Sequence, residues 1–253
     1  MSIDQPNTHD KIFTFYSQTG EDLFVYLNLI NQRREDGSYL ELGAWDGYVY
    51  SNTKFFQDEL MFKGTLIEPI PATYDRLLHN RPLDKCIHAA VSCDEGTVDF
   101  MGNEPTAGMC DTMSDHMRKH NHKNSTKYKV NARMLSSILQ ENNTEYLDMF
   151  FLDVEGGEYE VLKSMDWDIP VYFVCIELDN TNEEKDENCR KLLKEKGFSF
   201  MQRLCSNEFW VNKDYYRKQL LFRNKDAQFN FTSPFMEPQH TQEILSLCTT
   251  KSK

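Results

Sequence analysis

Short apolar runs alternate with stretches of helical spacing along most of this chain, and that alternation limits the fold more than any other feature. Residues 38–42, 65–68, 86–92, 149–154 and 171–178 are such runs. They have the length of buried strands and the near-continuous apolar character of a sheet covered on both faces. Helical patterns lie between them. Thr19 with Asp22 three residues on reads as a capping pair, followed by Leu23, Phe24, Leu27 and Ile30 at helical spacing. Ser51 caps a second helix that carries Phe55, Phe56 and Leu60 and is closed by Gly64; Pro71 opens a third, with Tyr74, Leu77 and Leu78 facing inward. Further helices are expected over 133–139, 158–165 and 183–196, the last with acids in its first turn, bases in its last and Gly197 as its stop. Residues 97–101 form a short stretch after a turn at Glu95 and Gly96. Residues 198–204 and 208–211 flank a polar turn and predict an antiparallel hairpin.

The expected fold is therefore α/β: one domain over 1–253, with a mostly parallel, doubly wound, Rossmann-like sheet of seven strands that ends in the C-terminal hairpin. Residues 1–15 read as a loose lead-in. Residues 102–129, rich in Gly, Asn, His, Lys and Met without a clean period, read as a lid or substrate loop. Residues 214–253 read as a C-terminal extension whose Phe222, Phe229, Phe231 and Phe235 pack the tail onto the domain.

In sheets of this kind ligands sit beyond the carboxyl ends of the strands. The first strand runs into Glu41-Leu42-Gly43-Ala44-Trp45-Asp46-Gly47. The glycine spacing is G-x-x-x-G, so the G-x-G-x-x-G pyrophosphate fingerprint of a dinucleotide enzyme is incomplete. An acid ahead of the glycines suits a cationic amino-acid moiety better than a phosphate. Glu68 ends the second strand, about 20 residues beyond the loop, where an acid accepts hydrogen bonds from ribose hydroxyls.

These residues resemble the FkbM-type methyltransferases. Ser17-Gln18-Thr19-Gly20-Glu21-Asp22 is similar to that family's opening S-Q-x-G-x-D, and Ser51-Asn52-Thr53 to its S-N-T. Gly64-Thr65-Leu66-Ile67-Glu68-Pro69 matches its G-x-x-x-E-P strand; Asn80-Arg81 and Ala89-Ala90-Val91 fall where the family has N-R and A-A-V. Asp153-Val154-Glu155-Gly156-Gly157-Glu158 resembles its D-x-E-G-x-E block. The likeness runs from about residue 17 to 211. It departs at Trp45, where a smaller or more polar residue is commoner, and over 102–129, which carries no family motif. The resemblance implies a class I methyltransferase fold, S-adenosylmethionine as cofactor, and O-methylation of a hydroxyl on a sugar, glycan or related polyol. It implies a cofactor site drawn from Gln18, Glu41, Gly43, Asp46, Gly47, Asn52, Glu68, Ala90 and Asp153. The competing readings are a nucleotide-dependent oxidoreductase and a non-catalytic S-adenosylmethionine-binding module.

An alcohol attacks slowly until its proton is removed, so a base or a metal belongs beside the methyl donor. Asp153, Glu155 and Glu158 gather near one strand end, Glu177 and Asp179 at another. If those strands are neighbours, up to five carboxylates meet. Two uses are open: Asp153, with Glu155 second, as general base, or Asp153, Glu155 and Glu177 as ligands of a divalent cation such as magnesium. His116, His120, His122 and Cys110 match no common zinc pattern; a histidine base from a closing lid is the alternative use.

The chain carries 28 basic and 40 acidic residues, a net charge of −12, which argues against nucleic-acid binding, an RNA-modifying role included, and against anionic membranes. No run approaches the ~18 apolar residues of a membrane span. The seven cysteines form no C-x-x-C pair and read as free thiols of a reducing compartment, and the polar N-terminus lacks a signal core, so the expected location is cytoplasmic. Asn124, Asn142 and Asn230 begin N-x-[ST] triplets that carry little weight without a secretion signal.

Overall fold

The computed structural model describes residues 12–30, 37–102, 105–123, 125–215 and 230–250. In chain order these build β1 (Ile12–Thr14), α1 (Glu21–Asn28), β2 (Ser38–Leu42), α2 (Lys54–Leu60), β3 (Lys63–Ile67), α3 (Pro71–Asn80), β4 (Lys85–Ile87) and β5 (Ala90–Val91). Then come β6 (Gly96–Met101), β7 (Gly108–Met109), α4 (Asp115–His120), β8 (Lys127–Arg133), α5 (Leu135–Glu141), β9 (Leu147–Leu152), α6 (Glu158–Ser164) and β10 (Val171–Glu177). The chain closes with α7 (Glu183–Glu195), β11 (Ser199–Leu204), β12 (Asn207–Val211), β13 (Asn230–Thr232) and α8 (Pro238–Thr250).

The central sheet has seven strands in the order β11-β12-β10-β9-β2-β3-β4. β2, β3, β4, β9 and β10 pair in parallel, and β12 runs antiparallel to both β10 and β11. This is the Rossmann-like, mostly parallel sheet with a terminal hairpin that the sequence predicts. The period-2 pleat splits each strand between two cores. Tyr39, Leu66, Met149, Phe151, Phe173 and Phe209 pack with Leu23, Phe24, Phe55 and Phe56 on one face. Leu40, Leu42, Phe150, Leu152, Val174 and Ile176 pack with Leu135, Leu139, Val161, Leu162 and Leu193 on the other. The order reverses between β2 and β9, which opens a crevice at their carboxyl ends.

Several local expectations are corrected. Asp22 does not cap α1. Its buried carboxylate accepts from the backbone N–H of Tyr16 (2.6 Å) and Ser17 (3.2 Å), so it fastens the incoming chain instead. Thr19 turns to Glu21, and the N-cap is Gly20 at φ 95°. α2 stops at Met61, in the left-handed region at φ 58°; Gly64 lies inside β3, where a Cβ would meet the Tyr39 ring at 2.0 Å. Ser51 sits two residues ahead of the N-cap Thr53, and its Oγ accepts from the N–H of Lys54 (3.2 Å). Leu78 faces solvent while Leu77 is buried, because a ten-residue helix buries only one stripe.

The expected strand over 86–92 is two strands in two sheets: β4 ends the large sheet, and β5 joins a four-stranded sheet of order β5-β8-β6-β7. That second sheet absorbs much of 102–129, which carries β7, α4 and the start of β8. The helix expected over 133–139 is displaced to α5, since Arg133 still belongs to β8. At the other end, β1 pairs in parallel with β13, so the lead-in and the extension fasten one another. Phe231 packs on the core and Phe235 lies against Tyr48 and Tyr50; Phe222 and Phe229 lie outside the described residues. Among the described residues, no helix is long and apolar enough to cross a membrane.

Candidate active site

A cavity of about 350 Å³ opens at the carboxyl edge of β2, β3, β9 and β10, within the ~300–1,000 Å³ usual for small-molecule sites. Gly43 to Trp45, Glu68, Ala90, Asp153, Glu155 and Glu177 line it. Phe100, Ala107 and Met109 enter from the second sheet, so part of the stretch expected to be a lid forms a wall.

β2 carries Glu41 between the buried Leu40 and Leu42. Its carboxylate accepts from the Asn52 N–H (2.7 Å), from Ser51 Oγ (3.1 Å) and from Thr53 Oγ1. The S-N-T motif thus wraps this acid. Arg81, fully buried, completes the knot: it donates to the Gly47 carbonyl (3.2 Å), Ser51 Oγ (3.0 Å), Tyr39 Oη (2.8 Å), Thr53 Oγ1 (2.9 Å) and Asp84 (2.9 Å), and lies 3.9 Å from Glu41. Burial raises the Glu41 pKa, with the Arg81 charge working against that rise. Asn80 donates to the Asp46 carbonyl (2.8 Å), so the N-R pair clamps the glycine loop to α3. The sequence supplied Arg81 as a motif residue only; its hub role depends on partners 28 to 42 positions away.

The loop turns tightly. Gly43 has φ 74°, and a Cβ there would stand 1.8 Å from the Asp153 carbonyl oxygen. Trp45, at φ 50°, donates its N–H to Glu68 (3.0 Å). Glu68 also accepts from Ile70 N–H and Thr73 Oγ1, both at 2.8 Å, and burial lifts its pKa to about 7. One of its oxygens accepts a single bond and keeps a lone pair for a ligand hydroxyl. Asp46 accepts from the N–H groups of Tyr48 (3.0 Å) and Val49 (2.8 Å); it shapes the turn and, like Gly47, is not on the cavity wall. Gln18 and Asn52 are on the wall.

Asp153, Glu155 and Glu177 each offer an oxygen within 4.8 Å of the others. The other two acids of the expected set of five turn away. Glu158 is buried, accepts from the N–H of Val154 (3.2 Å) and Gly156 (3.0 Å) and pairs with Lys185 at 2.6 Å. Asp179 accepts from Thr181 N–H (3.0 Å). Within the trio all three pKa values rise: Asp153 through burial and then Glu158, Glu155 through burial and then Asp153, Glu177 through the Asp153 charge and then burial. The hydrogen bond between Asp153 and Glu177 works against the rise at Asp153 and adds to the rise at Glu177. Glu155 is held at φ 57°, a rare conformation for a non-glycine residue, directly beside this pair.

His116, His120 and His122 do not join this site. His116 and His120 stack on one another, 4.2 Å between ring centroids, and buried His122 lies 2.7 Å from the Thr106 carbonyl. His116, His120 and His122 form no metal cluster with Cys110 among the described residues.

Residues 41–200 match the family model described as the methyltransferase FkbM domain. The chain belongs to the FkbM methyltransferase family, on a Rossmann-like class I methyltransferase fold. No curated protein matches it. Among solved structures it is similar to methyltransferase FkbM from Methylobacillus flagellatus, with 12% identity over 74% of this chain and 47% of that one and a TM-score of 0.49. This chain thus spans about half the length of that protein. It is also similar to Aeropyrum pernix fibrillarin with natively bound S-adenosyl-L-methionine, at 13% identity over 83% and 86% of the two chains and a TM-score of 0.43.

Proposed function

We propose that this protein is an S-adenosylmethionine-dependent O-methyltransferase acting on a hydroxyl of a sugar, glycan or related polyol. One observation carries the reading: the cavity joins an apolar slot at Ala90, Ile70 and Phe100 to an acid at the tip of β3 and to three converging acids at the tips of β9 and β10. An adenine suits the slot, a ribose hydroxyl suits the spare lone pair of Glu68, and a sulfonium with its amino group suits the acidic end. The residues present therefore fit the cofactor, which supplies an electrophilic methyl group when bound. The chain's own part is to hold the acceptor oxygen in line and to take its proton. Asp153 is the base this arrangement favours, and Glu177 steadies it through their hydrogen bond. Glu155 stands beside them, with an oxygen within 4.8 Å of theirs.

Titration calorimetry of S-adenosylmethionine and S-adenosylhomocysteine tests the cofactor. Micromolar binding by the wild type, weakened at least about tenfold in Glu68→Ala, is expected. No binding by folded protein, or binding of nicotinamide nucleotides instead, would overturn the reading in favour of a dinucleotide enzyme. Binding without turnover of any hydroxylic acceptor would leave a cofactor-binding module. A divalent cation such as magnesium held by Asp153, Glu155 and Glu177 is a second reading, favoured by their mutual approach within 4.8 Å. It predicts that chelator abolishes turnover and magnesium restores it.

A further inference from the structure

Cys205 and Ser206 form the two-residue loop between β11 and β12, and Cys205 stands on the rim of the cavity. α8 passes directly over it. Cys205 Sγ lies 3.6 Å from His240 Nδ1, and a carboxylate oxygen of Glu243 completes a group in which every ligand atom is within 4.8 Å of the others. His240 and Glu243, three apart on one helix, share a face. We propose that Cys205, His240 and Glu243 form a zinc site at the cavity rim, with a fourth position left for water or for a ligand atom from the cavity.

The geometry suits that ion. With Zn–S of ~2.3 Å and Zn–N of ~2.0 Å, a tetrahedral centre holds its sulfur and nitrogen roughly 3.5 Å apart, close to the 3.6 Å between Cys205 and His240. Thiolate, imidazole and carboxylate are the ligand types zinc takes, and three protein ligands with one open position is the pattern of an accessible site. Glu243 is exposed, so it swings inward without disturbing packing. The backbone supplies a separate indication. Cys205 is held at φ 52°, where hairpin loops ordinarily place Gly, Asn or Asp. A cysteine there costs conformational energy that its thiol must justify. Binding releases the thiol proton to solvent and forms a sulfur–zinc bond with no change in oxidation state. The ion would tie α8 to the terminal hairpin, two elements far apart in sequence that meet at the mouth of the cavity.

Cobalt(II) titration of the full chain tests this independently of any methyl transfer, because a cobalt–thiolate bond gives a charge-transfer absorption that oxygen ligands do not. Expected is a one-to-one complex with that absorption and tetrahedral ligand-field bands, bleached by one equivalent of zinc. Cys205→Ser should lose the charge-transfer band, whereas Cys93→Ser should keep it. His240→Ala and Glu243→Gln should each weaken zinc at least about tenfold, as read by chelator competition. A thiol–imidazole hydrogen bond occupies the same 3.6 Å without any ion. Absence of the charge-transfer band, its persistence in Cys205→Ser, or unchanged zinc affinity in His240→Ala would each overturn the proposal.

Discussion

Gly43 sets the spacing between the two sides of the cavity, because only a residue without a Cβ lets the loop after β2 lie against the Asp153 carbonyl. Gly43→Ala should destabilise the fold by about 1–3 kcal/mol, through its φ of 74° and the 1.8 Å approach. It should also displace Asp153 and weaken ligand binding at least about tenfold; urea denaturation and calorimetry read the two effects separately. Glycine spacing made this loop legible in the sequence. Asp153, Glu155 and Glu177 were offered by the sequence as one set among five acids, on the condition that β9 and β10 are neighbours, which they are. Asp153, Glu155, Glu158, Glu177 and Asp179 look alike as letters. Glu158 leaves the set because the N–H groups of Val154 and Gly156 and the ammonium of Lys185, 27 positions on, hold it away. Glu41, read from the sequence as suited to a cationic amino-acid moiety, lines the cavity, and Ser51, Asn52, Thr53 and Arg81, which hold it there, were not read as its partners.

The elements read correctly are those whose two faces differ in polarity or are both apolar. β9 and β10 announce themselves by uninterrupted apolar runs, and α7 by its charges and Gly197. β8 was missed because its outward positions, Lys127, Lys129 and Asn131, dilute a strand that buries only Val130 and Ala132. The extension was expected to pack through its phenylalanines, and its firmest anchor is Ile244 of α8. That side chain is fully buried against the turn at Gly20, where a Cβ would come within 2.2 Å of it. Ile244→Ala should cost about 2–4 kcal/mol if α8 unfolds only with the rest of the domain. A lowered urea midpoint with an unchanged slope is the expected result; a second, earlier transition would instead show that α8 detaches alone.

For the molecule as a whole, buried carboxyls outside the acidic trio set the pH response. Burial lifts Asp22 and Glu68 to about 7 each. Both therefore bind their protons more tightly when folded. Their contribution is fully present below the ordinary carboxyl range near 4 and is lost as pH rises through about 7, at up to ~1.4 kcal/mol per pH unit for each group. Stability by urea denaturation should thus fall between about pH 4 and 7, and Asp22→Asn should flatten that slope. An unaltered slope in the variant would remove Asp22 from the account.

The alternation of strands and helices in the central sheet, the glycine loop, the acid ending β3 and the terminal hairpin were determined by the sequence alone, because hydrophobic period and turn chemistry act over a few neighbouring residues. The pairing of β1 with β13, the division of residues 86–92 between two sheets, the Arg81 hub and the turning away of Glu158 were decided by the tertiary structure. Each rests on groups tens to hundreds of positions apart, whose energies of burial and charge exist only once the sheet has brought them together.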